Sequence, residues 1–188
     1  MTKIDEANRN KKNKKKNRLI FRSAILFVLF AALVFALVSN FLKDNSVIDV
    51  GDEAKDFQLK QINGDGGSLQ LSDLKGKGIM LNFWATYCEP CEDEMPYMQK
   101  LYPEYKDKGV EIVAVSVDAT ELVIEQFVDN YDLTFPVLHD KGQVMDLYSI
   151  DPLPTTFFIS PEGEVVEKVS GALTLSRLEG YLQQIQPK

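Results

Sequence analysis

The chain has 188 residues, room for one ordinary globular domain and an appendage, and a formal net charge of −7. Residues 1–22 hold nine Lys/Arg against Asp5 and Glu6, which leaves twelve Lys/Arg against 26 Asp/Glu in the remainder. A basic tail on an acidic body argues against a nucleic-acid-binding domain and points to a membrane surface.

The basic block ends at an apolar run, Ser23 to Leu42, SAILFVLFAALVFALVSNFL. The run has no charge and matches the ~20 residues that cross a bilayer core as a helix. The Lys11–Arg18 block and Arg22 predict a cytoplasmic N-terminus, with the acidic body outside. A cleaved signal peptide is the rival reading, but its apolar core is ~7–15 residues long and ends in an Ala-x-Ala-like site. This run is longer, and Ser39-Asn40 makes a poor site. No cysteine directly follows it, which excludes a lipoprotein anchor. The sequence therefore divides into a basic cytoplasmic tail (1–22), a transmembrane anchor (23–42), a linker (43–50) and a domain on the extracytoplasmic side (51–188).

Within that domain Phe57–Ile62 alternates apolar and polar, a turn cluster follows at 63–67, and alternation resumes at Ser68–Leu71, which predicts a hairpin. Gly78–Ala85 (GIMLNFWA) is apolar apart from Asn82 and reads as a central strand buried on both faces. Glu92–Lys108 has helical spacing, with Met95, Met98, Leu101, Tyr102 and Tyr105 on one side and Pro96 as a kink. Val110–Val117 is a second buried strand. Thr120–Tyr131 reads as a helix with Leu122, Val123, Phe127 and Val128 as its apolar face. Phe135–Leu138 is a short apolar segment and Gln143–Tyr148 a short helix. Thr156–Ile159 and Val165–Val169 flank Ser160-Pro161-Glu162-Gly163 as a hairpin, and Leu173–Ile185 is a last helix capped by Thr174 or Ser176. The order predicts an α/β domain with a mixed central sheet, in which chemistry sits beyond the carboxyl ends of the strands.

The only two cysteines lie there, as Cys88-Glu89-Pro90-Cys91. A closed zinc site takes four ligands, and with His139 as the only histidine the chain has three Cys/His residues. A bridge across two residues closes almost no loop, so it adds little stability. The pair reads as redox chemistry, with no cofactor beyond a Cys88–Cys91 disulfide. Cys88, at a helix start, has the thiolate favoured by unpaired N–H groups and is the candidate nucleophile. Cys91, one turn inside, is the candidate resolving thiol, and Pro90 suits a first helical turn. Glu89, Glu92, Asp93 and Glu94 surround the pair, and negative charge raises a thiol pKa. That favours a reductant. Glu92 and Asp93 fit a solvated helix face at the positive end of the dipole. Glu94 shares a face with Cys91 and is the candidate proton-transfer group.

Phe83-Trp84-Ala85-Thr86-Tyr87-Cys88-Glu89-Pro90-Cys91, with Pro96 beyond it, resembles the thioredoxin superfamily, and Leu153-Pro154-Thr155-Thr156-Phe157 resembles its second signature, a loop with a cis proline. With Leu74-Lys75-Gly76-Lys77, Glu94 and the N-terminal anchor, the chain is similar to ResA-type membrane-anchored thiol-disulfide oxidoreductases. The resemblance implies a thioredoxin-like mixed sheet flanked by helices, with an N-terminal hairpin and one transmembrane helix. It implies reduction of the apocytochrome c disulfide before haem attachment, a membrane thiol-disulfide transporter as electron donor, and a functional glutamate at Glu94. Glu89, Pro90, Trp84, Tyr87, Leu153, Pro154 and Thr155 are the candidate substrate contacts. The chain departs from the pattern at Asn82, where thioredoxins carry a buried Asp, at Tyr87 in place of Trp, and at Ala119, beside Asp118, where ResA-type proteins tend to have a further Glu. Alternatives are a reductase for another envelope or spore-coat disulfide, and a copper metallochaperone using Cys88, Cys91 and His139, although copper-binding relatives place three residues between their cysteines and here two intervene.

Overall fold

The computed structural model describes Arg22, residues 25–35 and residues 47–188. Residues 25–35 form an apolar helix, α1. Among the described residues no helix is long and apolar enough to cross a membrane. The rest of the expected anchor, the tail before Arg22 and the start of the linker lie outside the described residues.

Residues 47–188 form a compact unit. Ile48, placed by sequence in the linker, is buried in its core, and its carbonyl accepts from Lys168 Nζ at 3.0 Å. The unit is built on one seven-stranded sheet. Its strands are β1 (Gln58–Gln61), β2 (Ser68–Gln70), β3 (Gly78–Trp84), β4 (Val110–Ser116), β5 (Val137–His139), β6 (Thr155–Ile159) and β7 (Val165–Ser170), in the order β2-β1-β5-β4-β3-β6-β7. β3, β4 and β5 run parallel, and the β1–β2 and β6–β7 hairpins join antiparallel at either side. The helices are α2 (Glu89–Asp107), α3 (Glu121–Asn130), α4 (Gln143–Tyr148) and α5 (Leu175–Gln184), with a 3-10 turn at Leu71–Leu74.

β3 is buried along its whole length because both its faces are covered. Met80 and Trp84 face the layer of α2, α3 and α5, where they meet Cys91, Met95, Phe127 and Leu178. Ile79, Leu81 and Phe83 face the other layer, with Phe57, Tyr148 and Phe157. This is the period of two that alternates side chains across a strand. The first residue of β3 has to be glycine: a Cβ on Gly78 would lie 2.0 Å from the carbonyl oxygen of Ile185.

Helix α2 begins at Glu89, with Cys88 as N-cap and Pro90 in the first turn, as expected. Two expectations change. The buried stripe of α3 is Ile124, Phe127 and Val128, while Leu122 and Val123 are exposed. At 100° per residue Leu122 points away from that stripe. Strand β5 begins after Pro136, which has no N–H for a ladder, although its carbonyl accepts from Ala114 N at 2.9 Å.

Candidate active site

β3 ends at Trp84, and the chain leaves the sheet through Ala85–Tyr87 before α2 begins. An aspartate outside this segment fixes its path. Asp118, buried just past the end of β4, accepts from Thr86 N at 2.9 Å, from Thr86 Oγ1 at 2.7 Å and from Ser116 Oγ at 2.8 Å. Cys88 N then donates to Ala85 O at 3.1 Å, and the Cys88 carbonyl accepts from Cys91 N and Glu92 N, which starts the helix. Sequence reasoning passed over Asp118 as a neighbour of Ala119. An acid at the carboxyl end of a parallel strand was the available signal, but its partner Thr86 lies 32 residues away.

Cys88 and Cys91 form a disulfide with Cα atoms 5.2 Å apart. Cys88 is partly exposed and Cys91 fully buried. Glu89 and Pro90 are exposed beside Cys88, as are Glu92 and Asp93 one turn on. Glu92 also accepts from the Tyr131 hydroxyl. Tyr87 is 74% exposed, an aromatic surface next to the disulfide. Trp84 is buried against Phe127, ring centroids 4.7 Å apart.

The Leu153–Pro154 bond is cis, as the sequence predicts, and Asp151–Pro152 is cis as well. Thr155 pairs in register with Phe83 in the β3–β6 ladder, so Pro154 lies level with the carboxyl end of β3. Leu153 and Cys88 pack against the same core cluster, which contains Cys91 and Trp84. Pro154 and Thr155 are buried; the Pro154 carbonyl accepts from Gly171 N at 2.8 Å, and Thr155 Oγ1 donates to Pro152 O at 2.7 Å. The sequence-predicted residues thus divide into an exposed rim of Tyr87, Glu89 and Pro90, the half-exposed Cys88 and Leu153, and a buried floor of Trp84, Cys91, Pro154 and Thr155.

Glu94 belongs to the floor. It is fully buried on the face of α2 that carries Cys91. Asn82 Nδ2 donates to its Oε1 at 2.7 Å, and the backbone N–H of Leu173 to its Oε2 at 3.0 Å. Burial raises its pKa to about 7, and the two hydrogen bonds oppose the rise. A carboxyl poised there can take or give a proton near neutral pH.

His139 is not brought to the cysteines. Its Nε2 lies 2.9 Å from the Asp118 carbonyl and its Nδ1 3.6 Å from Glu121 Oε1, with Lys60 on the other oxygen of Glu121. A carbonyl only accepts, so Nε2 is the donor in that contact.

Residues 50–168 match the AhpC/TSA family model. A protein of Oceanobacillus iheyensis named thiol-disulfide oxidoreductase ResA is 65% identical over 98% of both chains. The chain belongs to the ResA-type thiol-disulfide oxidoreductases. A ResA of Bacillus cereus is 51% identical over 92% of this chain and 99% of its own length. The ResA-type fold is also seen in a Chlorobium tepidum crystal structure assigned as the thiol:disulfide interchange protein DsbE, which superposes with a TM-score of 0.68 at 35% identity, over 73% of this chain and 98% of that one. As in that family, the fold is thioredoxin-like, and the chain is an enzyme of thiol–disulfide exchange.

Proposed function

We propose that this ResA-type enzyme works outside the cytoplasm as a reductant, held to the membrane by one helix over residues 23–42, and that it reduces the CxxCH disulfide of apocytochrome c before haem attachment. The Cys88 thiolate attacks one sulfur of the substrate disulfide, forms a mixed disulfide and releases the other sulfur as a thiolate, which takes a proton from solvent. Cys91 then gives its proton to Glu94 and attacks Cys88 Sγ, which frees the second substrate sulfur as a thiolate, protonated from solvent, and leaves the Cys88–Cys91 disulfide. A membrane thiol-disulfide transporter restores the dithiol. Tyr87, Glu89, Pro90 and Leu153 form the surface that receives the substrate, with Trp84, Pro154 and Thr155 beneath it.

The observation that carries this reading is the buried Glu94 one turn beyond Cys91, a carboxyl with a pKa raised to about 7. The exposed acids at 89, 92 and 93 add negative charge that disfavours the Cys88 thiolate, the opposite of the environment that makes a strong oxidant. The alternative reductase, acting on another envelope or spore-coat disulfide, shares every one of these residues. Copper transfer lacks a ligand, since His139 is engaged by Asp118 and Glu121.

Two measurements test the proposal. Titration against glutathione or dithiothreitol is expected to give a potential near that of thioredoxin, ~−270 mV; a value near that of DsbA, ~−120 mV, means an oxidase and overturns it. The Cys91→Ala chain is expected to accumulate apocytochrome c as a mixed disulfide in cells. Trapping of other envelope proteins in its place would favour the alternative reductase.

A further inference from the structure

Glu94 meets a hydrogen-bond donor at each oxygen, Asn82 Nδ2 at Oε1 and Leu173 N at Oε2. That arrangement suits the carboxylate; a proton taken up on either oxygen finds no acceptor in these two partners, because both are donors. The Leu173 donor is backbone and cannot reverse. The Asn82 donor is one end of an amide whose other end is an acceptor. Its second partner is Thr156 Oγ1, at 3.0 Å, and a hydroxyl both donates and accepts. The acceptor end, Asn82 Oδ1, is buried and has no hydrogen-bond partner among the described residues. A buried polar atom without a partner is costly and calls for an explanation.

We propose that Asn82 is a positioning residue whose side-chain amide turns over with the protonation of Glu94, so that the acid keeps a hydrogen-bond partner in both states. With Glu94 ionised, Nδ2 donates to Glu94 Oε1 and to Thr156 Oγ1, as observed. When Oε1 takes a proton, Oδ1 replaces Nδ2 and accepts from both Glu94 Oε1–H and Thr156 Oγ1–H. The carbonyl thereby gains two donors, the amide NH2 takes over the position without a partner among the described residues, and the only proton that moves is the one Glu94 gains or loses. The groups the structure places around the Asn82–Glu94 pair are neutral in the oxidised protein: Thr156 from β6, which meets Asn82, the Leu173 amide ahead of α5, which meets Glu94, and the disulfide-bonded Cys91 one turn back on α2. An Asp at position 82 would bring a second ionisable group, and an Ala would leave the carboxylate with one donor. Asn alone among these supplies an uncharged donor and an uncharged acceptor at one spot.

This inference rests on Glu94 titrating in the working enzyme, and the test separates the two. The full oxidised chain, in detergent micelles with isotope-labelled Asn and Glu, is titrated by NMR through neutral pH. The Asn82 side-chain amide protons are expected to show an NOE to Thr156 above the Glu94 midpoint and to lose it below. In Glu94→Gln the Asn82 resonances become independent of pH over that range. In Asn82→Ala, the Glu94 midpoint rises by about one pH unit, the worth of a hydrogen bond to a charged group. An NOE that persists unchanged across the midpoint overturns the turnover, and the wild-type titration needs no variant to fold. If Glu94→Gln leaves the pH profile of disulfide exchange unmoved, the proton-transfer role fails while the coupled movement of Asn82 and Glu94 is still read directly.

Discussion

Glu94 holds its proton at a pH where most carboxyls have lost theirs. Its folded-state pKa of about 7 stands above the ordinary 4.5 because burial disfavours the charge. Between those values the folded chain binds the proton more tightly than the unfolded chain. The stability this contributes is fully present below pH 4.5 and is lost as pH rises through 7. The wild type is therefore expected to lose about 3 kcal/mol of stability relative to Glu94→Gln from acid to mildly alkaline pH. Urea unfolding of both chains on either side of that window checks it; parallel pH dependences would mean the carboxyl is not held neutral by the fold. At this scale the sequence exposed the reactive groups and hid what surrounds them. Cys88, Cys91 and Glu94 are legible because their spacing along one helix is local. Asn82 was readable as a missing acid but not as a partner of Glu94, and Leu173 was not readable at all, since backbone amides contribute no letter to a motif.

Among the elements, β3 bears most directly on the site, because the redox segment leaves from its carboxyl end. Its amino end abuts the carbonyl of Ile185 just past α5, so Gly78→Ala forces backbone apart at the contact. The expected loss is about 2 kcal/mol, on the order of 5 °C in Tm, measured by thermal unfolding; an unchanged Tm would show that the end of α5 yields freely. The other end of β3 depends on the aspartate beyond β4. Asp118→Ala leaves the Thr86 N–H and the Thr86 and Ser116 hydroxyls without their acceptor. It should cost about 2–3 kcal/mol, with a smaller loss for Asp118→Asn, which keeps one carbonyl oxygen. Denaturant unfolding gives the stabilities, and the alkylation rate of reduced Cys88 reports whether the segment has moved. The elements themselves were largely legible, because buried parallel strands read as unbroken apolar runs. The face of α3 was misjudged because Leu122 and Val123 are apolar yet exposed, and composition cannot tell which side of a helix meets Trp84. The start of α2 was legible ahead of its apolar stripe, because Pro90 suits a first helical turn and Cys88 the position before it.

For the molecule as a whole, the division between a lysine-rich start, an apolar run and an acidic folded unit sets the expected topology. A membrane-impermeant thiol reagent should label reduced Cys88, the partly exposed cysteine, in intact cells. Labelling only after lysis would place the domain on the cytoplasmic side and remove the proposed substrate from reach. The bond between Leu173 and Glu94, spanning 79 residues, has a consequence for chains still being made. Chains emerge N-terminus first, so both thiols leave the ribosome before the segment that clasps the acid does. A nascent chain halted ahead of residue 173 would present the cysteine pair without the donor that completes the Glu94 pocket. Completion of the Glu94 pocket is then one of the last events of biosynthesis, and an arrested chain should oxidise and reduce with a pH response unlike that of the finished protein.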